Sequence, residues 1–433
     1  MRETLFALRA LATTFDAMSS IALHRRAPTP IAAAPFPAAP ALPAIDDALL
    51  ASLTAQFAAT AADHDRSGSF PHDNFATLQR HALIALVAPT ACGGRGGSLG
   101  EARRVIGAVA RGEPATALIL TMTYLQHQGI TRDDSRWPAH LRDRVTRDAA
   151  THGALVNSLR VEPALGSPAR GGLPATVATR TPAGWTLSGH KLYTTGIEGL
   201  SWLSVWGRTD EPEPRVGIFL VPRNAPGLRV IASWDHLGMR ASGSHEVIFD
   251  DVAIPFDHGV DLRPPSAWAA AAGNAADSAA YADQQAWMVV LLGTLYDAIA
   301  RAAQDWLLTF LHTRAPASLG APLSSLSRVQ EQVGEIAALL RVNEVLLSHA
   351  TAEIDAGRTP TATDSGLLKH TVTANAIRAV ELALKLSGNH GLSRSNPLER
   401  HYRDVLCGRI HTPQDDAVLV AAGKAALGAH SFP

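Results

Sequence analysis

Cysteine is almost missing from this chain: Cys92 and Cys407 are the two in 433 residues. Two thiols cannot build a disulfide framework or a four-ligand zinc site, and such scarcity fits a reducing cytoplasm, the expected location. Net charge is nearly missing too. At a formal −1 there is no global field to draw in nucleic acid or an anionic membrane surface. No uninterrupted run of about 18 apolar residues occurs, so a membrane span is not expected. What remains is a long chain, 46% hydrophobic and 18% charged, with enough apolar surface for two or three domains.

The first 44 residues read apart from the rest. Ala27 to Ala44 alternates alanine and proline without a charge, which favours extended, solvated backbone. Arg2, Arg9, Arg25 and Arg26 with few acids also fit a targeting peptide. The segment is expected to be a disordered extension and carries no fold argument.

From 45 to 153 the apolar period is helical. Leu49, Leu53, Phe57 and Ala61 follow Asp46, a candidate N-cap, and Phe75, Leu78 and Ala82 form a second face. The glycine-rich run Cys92 to Gly97 has no strand before it and no Lys-Ser/Thr after it, so it reads as a turn rather than a phosphate cradle. Val105, Ile106 and Val109, then Ala115 to Leu125, predict further helix. Between 154 and 262 the period becomes two. Trp185 to Gly189, Leu203 to Trp206, Val216 to Val221 and Glu246 to Pro255 are short β-rich runs with turn residues between them. Across 263–433 three long apolar faces run through Trp287 to Phe310, Leu326 to Leu347 and Leu368 to Leu384. The predicted class is α+β: an N-terminal helical domain, a central antiparallel β-barrel or sandwich, and a C-terminal four-helix bundle.

Local motifs make this order specific. Arg111 to Ala117, Glu162-Pro163-Ala164-Leu165-Gly166-Ser167, Gly189 to Gly196, Leu237 to Ser244, Ser387 to Gly391 and Leu398 to Asp404 occur in turn. Together they resemble the acyl-CoA dehydrogenase superfamily over about 46–425. The resemblance implies a flavin, FAD or alternatively FMN, between the β domain and the bundle of a homotetramer. It implies that Tyr193 packs on the ring, that Thr195 bonds near N5, and that Gly166 and Ser167 line the approach. It also implies that Arg314 meets a neighbouring subunit's diphosphate, where a guanidinium fork suits the ligand. Gly388 would lie close beside the dinucleotide, and Gln414 and Asp416 are further cofactor positions. Arg240 and Ser242 are expected to hold a turn, and Arg400, Arg403 and Asp404 to form ion pairs between helices.

The catalytic glutamate of such dehydrogenases is missing. Counting on from Arg403-Asp404, Thr412 occupies its place, and a neutral hydroxyl cannot abstract a thioester α-proton at a useful rate. A minority branch of the family carries the glutamate on the bundle's first helix, but the matching Trp287-Met288-Val289 has no acid either. Asp283, about one turn away, and Asp415 and Asp416, close to Thr412, are the acids that could stand in. The same scaffold resembles that of flavin monooxygenases, which take reduced flavin from a separate reductase and transfer oxygen from a C4a-hydroperoxyflavin. Those need a dry pocket and a proton donor instead of a glutamate. His411 and His127 are the candidate donors. Three readings follow: α,β-dehydrogenation of an acyl thioester, a CoA thioester among them, with a displaced base and an electron-transfer flavoprotein as partner; reduced-flavin monooxygenation; or a flavin-binding protein without catalysis. All act on or bind a small molecule, with no nucleic acid and no metal expected.

Overall fold

The computed structural model describes residues 44–164, 172–271 and 275–428. The Ala/Pro-rich stretch up to 43, and the candidate residues Gly166 and Ser167, lie outside them. Five helices come first: α1 (Asp47–Ser67), α2 (His72–Arg80), α3 (Leu99–Gly112), α4 (Pro114–Thr131) and α5 (Ala139–His152). Asp46 caps α1 as expected, accepting Leu49 N–H at 2.8 Å. Ser98 and Glu101 form a reciprocal capping box on α3. Pro114 opens α4, and Glu113 takes the N–H groups of Ala115 and Thr116. The glycine run is a tight turn. A Cβ on Gly94 would lie 2.1 Å from the Ala88 carbonyl oxygen, so only glycine allows that approach. Helix α5 went unread because its buried face is narrow, Leu141, Val145 and Ala149 amid charge.

Eight strands follow: β1 (Leu155–Leu159), β2 (Val177–Thr181), β3 (Gly184–Thr194), β4 (Leu200–Thr209), β5 (Val216–Pro222), β6 (Leu228–Ile231), β7 (His245–Ile254) and β8 (Gly259–Arg263). They make one sheet in the order β6-β7-β3-β2-β4-β5-β8, with β1 joined to β4. The sheet is mixed rather than wholly antiparallel, since β1 and β2 both run parallel to β4. Neither is joined to β4 by a hairpin, so no tight turn imposes the opposite direction. The turn residues Pro182-Ala183 and Glu211-Pro212-Glu213-Pro214 connect hairpins β2–β3 and β4–β5.

Helices resume with α6 (Pro265–Ala271), α7 (Ala275–Thr313), α8 (Ser327–Asp355), α9 (Ala362–Ser387), α10 (Asn389–Leu392), α11 (Leu398–Leu406) and α12 (Asp415–Gly428). Three of these, α7, α8 and α9, are long. Helix α7 is buried on every side through its middle, from Val289 to Ala300, and such a helix needs cover all round. That cover comes from α8, α9 and α11 and also from α3 and α4. Within the described residues only Ser278–Thr313 is long and apolar enough to cross a bilayer, and 78% of its most apolar window is buried in the protein. A single hydrophobic core runs from Leu53 and Phe57 through Leu203 and Phe249 to Leu295 and Val380. The sheet and the bundle are therefore fixed against each other.

Candidate functional site

The sheet side of the site is built around a buried ion pair. Lys191 on β3 has no exposed surface, and its Nζ donates to Glu162 Oε1 at 2.6 Å and to the Trp206 carbonyl at 2.5 Å. Glu162 also accepts Ala175 N–H, Thr176 N–H and the Thr176 hydroxyl at 2.6–3.0 Å. Burial pushes the lysine down to about 8 against the pull of Glu162. Burial also opposes the carboxylate's charge, but the bonds from Lys191, Thr176 and Ala175 outweigh it and hold Glu162 below its usual value. The glutamate and lysine motifs are thus pinned to each other.

Just beyond Lys191 the pairing of β3 with β7 slips, between Lys191 and Thr194. Such a bulge re-aims side chains. Tyr193 takes φ 55°, costly for an aromatic residue, and its ring stands 55% exposed while Lys191 and Thr194 stay buried. Trp234 and His236, stacked on each other at 3.6 Å, meet that ring edge-on at 6.4 and 6.0 Å. Thr195 follows, its hydroxyl accepting Ser244 at 3.0 Å and its carbonyl accepting Asn157 Nδ2 at 3.0 Å. Asn157, on β1, was not singled out from the sequence. The turn at Arg240 and Ser242 is structural as expected: Ser242 O accepts Gly196 N–H, and Arg240 binds the Asp65 carbonyl.

The bundle carries the remaining candidate residues. Arg314 leaves the end of α7 exposed, and its guanidinium makes no bond among the described residues. Gly388 ends α9 at φ 55° with open space where a Cβ would be. The rings of Phe310 and His390, 5.1 Å apart, bring these two helix ends together. In the loop before α12, Thr412 is exposed. His411 Nδ1 is hydrogen-bonded to the hydroxyl of Tyr296, a fully buried residue of α7. Burial, with the charge of Lys369 behind it, pushes His411 down to about 4. Tyr296 is held well above its ordinary value by burial, so it keeps its proton and its hydroxyl can donate to Nδ1. With the hydroxyl as donor, the imidazole's own proton sits on Nε2. Gln414 O accepts Val418 N–H at 3.0 Å, and Asp416 lies in the first turn of α12, accepting Ala417 N–H at 2.8 Å.

His127, on α4, is fully buried, and neither ring nitrogen has a partner. Burial alone pushes it down to about 4. The structure does not join it to His411. Its neighbour Gln128 reaches Asp283, which precedes Tyr296 by 13 residues of α7, roughly 20 Å along the axis. The three acids that could replace the glutamate are already engaged. Asp283 accepts Gln128 at 2.6 Å and pairs with Arg132. Asp415 takes Lys369 at 3.2 Å, and Asp416 caps its own helix. Two of the expected helix–helix ion pairs are corrected as well. Arg403 does pair with Asp65 and Glu399, but Arg400 has no acidic partner among the described residues, and Asp404 is used by the Met239 N–H at 2.7 Å. The geometry of those two was set by burial, which sequence does not display.

Comparison with known proteins bears on this arrangement. Residues 161–252 match the acyl-CoA dehydrogenase middle domain and 296–415 the acyl-CoA dehydrogenase C-terminal domain. The acyl-CoA dehydrogenase homologue YdbM of Bacillus subtilis is 31% identical over 84% of this chain and 92% of its own. The chain belongs to the acyl-CoA dehydrogenase superfamily. Within the superfamily it is also similar to L-evernosamine nitrososynthase of a Micromonospora species, 29% identical over 87% of this chain and 89% of that one. A solved structure of KijD3, in complex with FMN and an amino-keto sugar nucleotide, superposes with TM-score 0.76 at 27% identity. It covers 89% of this chain and 93% of that one.

Proposed function

We propose that this superfamily member is a flavin-dependent monooxygenase that oxygenates a small-molecule nucleophile. One observation carries the reading. Beside Thr412, where a dehydrogenase needs an unengaged carboxylate, stands a neutral imidazole held by Tyr296. Asp415 and Asp416, close to it in sequence, are engaged elsewhere, and so is Asp283.

The residues present fit a flavin, FAD or FMN. Tyr193 offers an open ring face beside the Thr195 hydroxyl, Gly388 leaves room for close approach, and Arg314 has an unspent guanidinium for phosphate. When bound and reduced, the flavin would supply the electrons that activate O2. The chain's own contribution is proton handling. His411 presents Nε2–H to an oxygen atom, and Tyr296 fixes its tautomer and orientation. Burial keeps the ring neutral, so it donates one hydrogen bond without fixing a charge there. His127, on α4, adds a second buried neutral ring apart from His411. Relatives named as nitrososynthases, at 27–29% identity, make an amine-bearing sugar the first substrate class to try. A separate flavin reductase and a homotetramer belong to the same reading. The other reading, acyl thioester dehydrogenation, is favoured by the likeness to YdbM.

Two experiments separate them. Reduced holoprotein mixed with 18O2 and a panel of amino sugars should yield product carrying 18O. His411→Ala should lower that yield about 100-fold while flavin affinity stays unchanged. Anaerobic bleaching of the oxidised flavin by any acyl-CoA would overturn the monooxygenase reading.

A further inference from the structure

Helix α11 carries two arginines one turn apart that are satisfied in opposite ways. Arg403 spends its guanidinium on Asp65, Glu399 and the Leu237 carbonyl at 2.6–3.1 Å. Arg400 is only 7% exposed and makes no side-chain hydrogen bond or ion pair among the described residues; its Nε is buried without a partner. A guanidinium has five donors and does not lose its proton in a protein, so a buried unpaired one is unfavourable. Asp404 feels the charge of Arg400, but it is bonded to Met239, and burial pushes its carboxyl up to about 7. It is a weak counter-ion.

Arg400 lines a cavity of about 580 Å³ between α1, the 236–240 turn and the 394–397 loop. Arg66, Arg240, Arg394 and Arg403 share that wall with the acids Asp65 and Glu399. Arg66 and Arg240 are paired with Asp63 and Asp235. Arg394 is exposed and, like Arg400, has no partner among the described residues. We propose that this cavity is a binding site for a phosphate group, held between Arg400 and Arg394. A phosphate dianion matches two guanidinium forks in charge and in number of acceptor oxygens better than a single carboxylate does. The site does not depend on the oxygenation reading. His236 lines the cavity and also meets Tyr193 edge-on, so the phosphate comes either from a flavin on that platform or from a separate phosphate ester.

The test uses the purified full-length protein. Melting temperature is measured against inorganic phosphate and pyrophosphate, with sodium chloride matching the ionic strength. Selective binding raises it saturably. Arg394→Gln should weaken the phosphate affinity about tenfold or more, and Arg400→Lys should weaken it less than Arg400→Met. If Arg400→Met does not fold, the exposed Arg394 decides alone. No saturable rise over chloride, or equal affinities in the native protein and Arg394→Gln, overturns the site. Repeating the titration with FMN or riboflavin present identifies the source. Competition by FMN alone assigns the phosphate to the flavin, and phosphate binding undisturbed by both assigns a separate ester; each result supports the site.

Discussion

Two buried lysines, one in the sheet and one in the bundle, are held very differently. In the sheet, Lys191 meets Glu162, whose carboxylate is saturated by four hydrogen bonds. In the bundle, Lys369 is equally buried but makes one bond of 3.2 Å to Asp415, whose side chain is 32% exposed. The first pair is closed and joins two chain segments. The second leaves its positive charge to act on a neighbour, and that neighbour is His411. A saturated pair serves structure, whereas an unsaturated one can tune chemistry.

The contrast breaks most visibly at Glu162. Glu162→Gln keeps the shape but leaves a buried ammonium without its counter-ion, and denaturant titration should show a loss of about 3–5 kcal/mol. A loss below about 1 kcal/mol would mean the sheet pair is no more structural than the bundle pair.

Next in size is the acid response of the buried imidazoles. His127 and His411 stay neutral down to about 4 and His401 to about 3, all through burial first. The unfolded chain takes up these protons near pH 6.5. Between those values the unfolded state binds more protons, so the stability present above about pH 6.5 is lost as pH falls toward 4. His127→Leu should flatten that loss by roughly 3 kcal/mol, read from melting temperature against pH. An unchanged slope would show that His127 is protonated in the fold.

The smallest effect sharpens the bundle side. Lys369→Met should change stability by about 1 kcal/mol, because Asp415 keeps access to water. It should also move the His411 titration upward, toward the ordinary histidine value, as followed by NMR of labelled histidines. The groups facing this ring cluster are Tyr296 from α7, Lys369 and His370 from α9, Asp404 and Cys407 around α11, and Asp415 at the start of α12. If the titration of His411 does not move, the charge of Lys369 does not reach it.

Much of the scaffold was legible because its signals are local. The change of period near 154 and again near 263 follows from strand and helix geometry, and the hairpin turns lie where glycine and proline stand. The direction of β1 was not legible, since it pairs with a strand more than 40 residues later. Nor was α5, whose apolar stripe is thin. Among the site residues, Tyr193 and Thr195 could be picked out by motif, but Asn157 had no signal beyond a polar residue in a β-run. Asp283 looked available until Gln128 and Arg132 were found on it.

The sequence by itself determined the order of helices, strands and helices, the family pattern of residues, and the substitution of Thr412 for a glutamate. These are questions of residue type and spacing. Only the tertiary structure decided which charges are spent. That Arg403 is paired and Arg400 is not, that Lys191 is saturated and Lys369 is not, and that Tyr296 holds His411 are settled by contacts between separate elements, up to 338 residues apart for Arg403 and Asp65. Burial and distance set their energies, and neither is written in local sequence.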